Sequence, residues 1–340
     1  MKPENQNQVR DVMIEAEHLA RYYGPSPALR DITFSAYRGE IVGFLGPNGA
    51  GKTTTMRILT GYLPPTSGRA FIAGHDIIEA SMAARRNVGY LPETTPLYAD
   101  MTVWDYLDFM ARLRGVDDRD TAIERAMDRV SLTDRADQLI GQLSKGLRQR
   151  VGIAQAVLHD PPVVILDEPT IGLDPRQIQD VRDLIRELKG NHTVIISTHI
   201  LSEAEQLCDR VLVINRGEIV AAASPEELQS QLAGSEAVRV TIGGGVRPRD
   251  VEQALGGLAG VTTVASEGDG RFTVKAAAGA NPRPGIAKAV VDQGWPLLEL
   301  TPVGMSLERI FLELTAEADR GIGGADDSDG DADSGEAGDA

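Results

Sequence analysis

Gly46-Pro47-Asn48-Gly49-Ala50-Gly51-Lys52-Thr53-Thr54, directly behind the apolar run Ile41-Val42-Gly43-Phe44-Leu45, decides the fold. The pattern is G-x-x-x-x-G-K-T set after a strand and at the opening of a helix, which is the form of a phosphate-binding loop. Its glycines let the backbone curl so that several N–H groups point at one anion. The helix starting near Lys52 adds the positive end of its dipole. A triphosphate is the guest this predicts, with Lys52 reaching the β- and γ-phosphate oxygens and the Thr53 hydroxyl ligating Mg2+.

Outward from this loop, the spacing predicts short strands and the helix Thr53 to Gly61 between Met13 and Ala73, closing with a strand at Arg69 to Ala73. From Thr102 to His159 the period becomes helical, as in Val103, Tyr106, Leu107, Met110 and Leu113, and again in Ile123, Ala126, Met127 and Val130. Continuous apolar runs then return at 163–166, 193–196 and 211–214 with helices between them. Such runs suit strands buried on both faces of a parallel sheet. Ser224-Pro225-Glu226-Glu227 reads as a capped helix start with proline in the first turn, and that helix is expected to close the first domain near Gly234. Beyond it the order is strand Val238 to Ile242, helix Arg249 to Leu258, strands Val261 to Ala265 and Arg271 to Ala276, helix Gly285 to Gln293, and strand Pro296 to Leu300. This βαββαβ order is that of the ferredoxin-like split unit, and a helix Ser306 to Thr315 is expected after it.

Composition bounds the function. The 340 residues allow one large domain and a small one, and 42% hydrophobic content supplies an ordinary core. A formal charge of −16 argues against nucleic acid as partner, since phosphate backbones are held by clustered Lys and Arg. Much of that charge lies in residues 318–340, where Asp326, Asp327, Asp329, Asp331, Asp333, Glu336 and Asp339 face a single base, Arg320. That stretch is expected to be a disordered acidic tail, and residues 1–12 a flexible N-terminus. The one cysteine, Cys208, excludes an internal disulfide and reads as a small buried residue on the apolar side of a short helix. No stretch approaches the roughly 18 apolar residues that cross a bilayer, so any membrane connection is expected to run through another protein.

Two further constellations carry chemistry. Val163-Val164-Ile165-Leu166-Asp167-Glu168 sets two acids at the carboxyl end of a buried strand, where ligands sit in open α/β sheets. There Asp167 is suited to hold Mg2+ and Glu168 to polarise water. Leu143-Ser144-Lys145-Gly146-Leu147 opens a helix with Ser144 as N-cap, and Gly146 leaves room for an anion at the first turn.

In this order the motifs resemble an ATP-binding cassette, the motor subunit of an ABC transporter, over about Met13 to Leu232. The resemblance implies a RecA-like α/β P-loop core with an antiparallel β subdomain and a helical subdomain over residues 13–234. A small α+β ferredoxin-like domain over 235–317 and the acidic tail would follow. ATP and Mg2+ are the implied ligands. By the same resemblance Tyr23 matches the aromatic that stacks on adenine, the loop Gly46 to Thr54 grips the phosphates, and Thr53 and Asp167 place the metal. Glu168 is the implied general base, Asp174 in Gly172-Leu173-Asp174 the Asp loop, and His199 in Ser197-Thr198-His199 the γ-phosphate switch. Ser144 and Gly146 would cap ATP bound to a second cassette, identical or related, in a head-to-tail pair.

Two departures stand out: Glu93 replaces the family's usual glutamine, which makes it a candidate metal and catalytic carboxylate, and Lys145 and Leu147 replace Gly and Gln in the signature. Tyr90-Leu91-Pro92-Glu93, Pro96-Leu97-Tyr98, Met101-Thr102-Val103 and the closing Ser306-Leu307-Glu308-Arg309-Ile310-Phe311 are similar to cassettes of ABC-2 type exporters, including the gliding-motility type. The resemblance therefore implies an ATPase on the inner face of the cell membrane, held there by an integral permease and driving export. A soluble ABC ATPase acting on ribosomes or DNA is the alternative, but relatives of that kind carry two cassettes or long heptads, and neither appears here.

Overall fold

The computed structural model describes residues 11–232, 235–277 and 280–303. They form two compact units that part between Ser224 and Pro225.

The first unit opens with β1 (Val12–Tyr23), β2 (Ser26–Tyr37) and β3 (Ile41–Leu45), followed by α1 (Lys52–Leu59), β4 (Ser67–Ile72), β5 (His75–Asp76), α2 (Ser81–Arg86) and β6 (Val88–Leu91). The helical stretch is α3 (Val103–Arg114), α4 (Arg119–Arg129) and α5 (Lys145–Val157). The chain then alternates through β7 (Val163–Asp167), α6 (Pro175–Leu188), β8 (Thr193–Thr198), α7 (Leu201–Leu207), β9 (Arg210–Asn215) and β10 (Glu218–Ala223). One ten-stranded sheet runs β5-β4-β1-β2-β10-β9-β3-β8-β7-β6. From β9 to β6 every pairing is parallel, while β1, β2, β4 and β5 pair antiparallel.

The parallel strands follow from their composition. β3, β7 and β8 are buried at every position, as residues packed by helices on both faces must be. The antiparallel part differs from expectation in length: β1 and β2 are 12 residues each rather than short strands. Register shifts in β1 beside His18, whose φ is 50°, break the apolar alternation that would have marked one long strand. β10 is also absent from the sequence reading, because Ile219 to Ala222 are half-buried or exposed and give no apolar run.

In the helical stretch Val103, Tyr106, Leu107, Ile123, Ala126, Met127 and Val130 are buried as their spacing predicts. Leu113 is not: it lies in the last turn of α3, before the left-handed Gly115, and is 65% exposed. Cys208 is buried but follows α7 in extended conformation instead of lying on its apolar side, and a Cβ on Gly43 would stand 2.6 Å from its sulfur. Burial pushes its thiol well above the ordinary value.

The second unit comprises α8 (Pro225–Leu232), β11 (Ser235–Ile242), α9 (Pro248–Gly256), β12 (Val261–Gly268), β13 (Arg271–Ala277), α10 (Arg283–Asp292) and β14 (Leu297–Val303). Its four strands stand in the order β12-β13-β11-β14, all antiparallel, around Val238, Val240, Ile242, Phe272, Val274, Val251, Leu255, Ile286 and Val290. The helix expected to end the first domain thus packs with the second unit, so the division falls one helix earlier than the expected 234/235. The expected helix Ser306 to Thr315 and the acidic tail lie outside the described residues, as do residues 1–10.

α5 lies against β6 at Gly89, where an added methyl would overlap the Ala156 carbonyl oxygen. Gly89→Ala is therefore expected to destabilise the first unit by about 1–3 kcal/mol through overpacking. Thermal unfolding checks this: a Tm several degrees below that of the parent is expected, and an unchanged Tm contradicts the packing.

Candidate functional site

Sheet order builds the site. β8 lies between β3 and β7, with Ser197 level with both Phe44 and Asp167, and Thr198 level with Leu45. The loops that leave the carboxyl ends of these three strands are therefore neighbours. Gly46 to Thr54 leaves β3, Glu168 leaves β7, and His199 leaves β8.

Within the loop, Gly51 has φ 112°, and a Cβ there would stand 2.5 Å from Leu29 and 2.9 Å from the Ala28 carbonyl oxygen, so only glycine fits. No side chain caps the start of α1, which leaves its first-turn N–H groups facing the loop. Lys52 is 6% exposed. Its Nζ donates to the Gly46 carbonyl at 2.8 Å and the Pro47 carbonyl at 3.3 Å, and lies 3.3 Å from Glu168 Oε1. The other oxygen, Glu168 Oε2, stands 2.9 Å from His199 Nδ1. Glu168 itself has φ 49°, a left-handed conformation that its side chain disfavours. Its N–H donates to Ser197 Oγ at 2.9 Å, which helps hold it there.

Asp167 is fully buried. Its Oδ1 accepts from Ser197 Oγ at 2.5 Å and Thr53 Oγ1 at 3.3 Å, while Oδ2 has no partner among the described residues. A buried carboxylate oxygen without a donor beside a hydroxyl and a phosphate loop suits a hard cation. No group of three or more His, Cys, Asp or Glu that could hold a metal occurs among the described residues. The remaining ligands of such a cation must then come from phosphate and water, as Mg2+ prefers.

These groups line a cleft of about 430 Å³ with Ala28, Pro47, Asn48, Gly49, Thr54, Glu93 and Ile171. Glu93 thus joins the loop, Glu168 and His199. It also lines a neighbouring cavity of about 460 Å³ together with Lys145.

The remaining candidates stand apart from the cleft wall. Tyr23, half exposed at the end of β1, carries the Arg21 guanidinium 5.0 Å from its ring centre. Ser144 caps α5 by accepting from Leu147 N at 3.3 Å, and Asp174 caps α6 by accepting from Gln177 N at 3.0 Å. Gly146 was expected to open space for an anion. Instead its bare face meets α6, where a Cβ would lie 2.7 Å from Gln177 Cδ.

Sequence reasoning missed Ser197, which joins Asp167 Oδ1 to Glu168 N and so sets both acids. The available signal was a polar residue inside a buried apolar strand, which must find a partner there.

A family profile described as ABC transporter matches residues 29–171. The chain is 37% identical over 310 residues to the uncharacterized ABC transporter ATP-binding protein YdbJ of Bacillus subtilis, covering 89% of this chain and 95% of that one. The chain belongs to the ABC transporter ATP-binding protein family. It is also 40% identical over 210 residues to the bacitracin transport ATP-binding protein BcrA of Bacillus licheniformis, covering 61% of this chain and 68% of that one. A solved structure of the ATP-binding subunit of an ABC transporter superposes with TM-score 0.59 at 32% identity, covering 65% of this chain and 93% of the other. The chain is accordingly an ATP-binding, ATP-hydrolysing subunit of the ABC transporter family.

Burial raises the Asp167 carboxyl above the ordinary 3.8. Glu93 and Glu168 add to the rise, while hydrogen bonds from Ser197 and Thr53 oppose it. Between the unfolded and folded values the folded state binds the extra proton, so this group's contribution to stability falls as pH rises through that window. Asp167→Asn removes the charge. Without nucleotide its Tm is expected to exceed that of the parent at pH 7, with the gap closing as pH drops below 3.8. A gap that stays constant across a pH series of melts contradicts the assignment.

Proposed function

We propose that this chain is the motor of an exporter on the inner face of the cell membrane, pairing with a second cassette and an integral permease. The observation that carries the mechanism is the double engagement of Glu168, with Lys52 on one oxygen and His199 on the other.

In the reading that follows, the loop N–H groups and Lys52 take the β- and γ-phosphates of ATP, and Lys52 exchanges Glu168 for phosphate oxygen. That exchange frees Glu168 Oε1 to accept a proton from the attacking water, while His199 keeps Oε2 oriented. Mg2+, held by the Thr53 hydroxyl and Asp167 with Glu93 facing the same cleft, would supply charge neutralisation to the phosphates. Tyr23 would stack on adenine through its exposed ring face. The cleft wall among the described residues contains neither Ser144 nor Asp174. This supports completion of the site by the Ser144 end of α5 from a second copy, with ATP held between the two and released when hydrolysis reopens the pair.

Export is supported by two relatives, one named for bacitracin transport and one for linearmycin resistance. Both names also weigh against action on ribosomes or DNA. A permease partner is supported by the absence, among the described residues, of any helix long and apolar enough to cross a membrane.

Glu168→Gln tests both halves. The variant is expected to bind ATP normally, to lose turnover by about 10²- to 10⁴-fold, and to accumulate as a nucleotide-bound dimer on size exclusion. Used as bait on solubilised membranes, that trapped dimer should retain an integral membrane subunit. Turnover at the parent rate would remove the base assignment, and recovery with ribosomes or DNA alone would remove the transport reading.

A further inference from the structure

Beyond the residues that face the cleft, the loop carrying His199 is held by a charge network that reaches into the body of the unit. Glu203, in α7, is 1% exposed. Its Oε2 accepts from the Thr198 hydroxyl at 2.8 Å, and the same hydroxyl accepts from Ile200 N at 3.0 Å. The residues on either side of His199 are therefore tied through one hydroxyl to one buried carboxylate.

Glu203 is anchored in turn by α6. Arg182 Nη2 stands 3.6 Å from Glu203 Oε1, and Arg182 Nη1 donates to Gln206 Oε1 at 2.9 Å. α6 is the helix that Asp174 caps. On the preceding side, Ser197 fixes the strand end to Asp167 and Glu168. His199 thus leaves a backbone pinned at Ser197 to β7 and pinned beyond it to α6.

The arrangement is costly as packing alone. Glu203 Oε1 and Arg182 Nε have no hydrogen-bond partner among the described residues. Incomplete satisfaction of buried charge lowers stability, and apolar residues of similar size often replace a buried ion pair without loss. The neighbouring Leu184, Ile185, Ala204 and Leu207 are buried and would accept an apolar side chain. What the carboxylate uniquely provides is an acceptor for Thr198.

We infer that Glu203 is a positioning residue for ATP hydrolysis, holding the His199 loop through Thr198 and tying it to α6 through Arg182. The inference rests on the reading of His199 given above.

The test is steady-state ATP hydrolysis by the full chain. Glu203→Leu and Thr198→Val are each expected to lower kcat between about ten- and a hundredfold by misplacing His199, with KM for ATP and Tm unchanged. Thr198→Ser, which keeps the hydroxyl, should hold the parent rate, and Glu203→Gln, which keeps an acceptor, should recover part of the loss. The Glu203→Leu/Thr198→Val double variant should be no slower than the slower single, because both cut one link. In a His199→Ala background, Glu203→Leu should cost nothing further.

Parent-level turnover by Glu203→Leu and Thr198→Val beside an impaired His199→Ala overturns the inference and spares His199. So do losses that multiply in the double variant, or a KM that rises with a falling Tm. Parent-level turnover by His199→Ala overturns the inference and the reading of His199 together.

Discussion

A lysine ammonium buried to 6% exposure must keep anionic or carbonyl partners in every state of the protein, and here Lys52 has Gly46, Pro47 and Glu168 around it. This constraint organises the site. Removing one member of a buried pair leaves an uncompensated charge, at a cost of about 3–5 kcal/mol. Lys52 therefore leaves Glu168 only when another anion replaces it, and a terminal phosphate at the loop is that anion. In our reading the general base is released by the substrate it acts on, so a water is polarised only when ATP is there to receive it.

The fold supplies the geometry for this exchange through strand order alone. β3, β8 and β7 are adjacent and parallel, so their carboxyl ends deliver the phosphate loop, the histidine and the two acids to one edge. Ser197, in the middle strand, reaches Asp167 and the backbone of Glu168 across that edge. It holds Glu168 in a left-handed conformation that few other contacts would sustain. The strain and the partnerless Asp167 oxygen lie side by side, where binding of phosphate and cation can relieve them.

Much of this was legible in the chain because its signals are local. The glycine loop, the apolar runs before Asp167 and His199, and the alternation of Val238, Val240, Ile242 and of Phe272, Val274, Ala276 each announce an element within a few residues. The parts that were not legible depend on partners distant in sequence. Ser197 meets Asp167 thirty residues away, and Gly146 serves packing against Gln177. The long β1 was hidden by its shifts in register, and β10 by its exposed residues. The helix from Pro225 carries a clear start signal, yet no local feature says which unit it packs against.

The most direct test is a crystal structure of the chain with Mg2+ and a non-hydrolysable ATP analogue. The account predicts Lys52 Nζ on β- or γ-phosphate oxygens, Glu168 Oε1 released from it, and His199 still on Oε2. A structure in which the analogue fills the loop while Lys52 and Glu168 remain paired would contradict it.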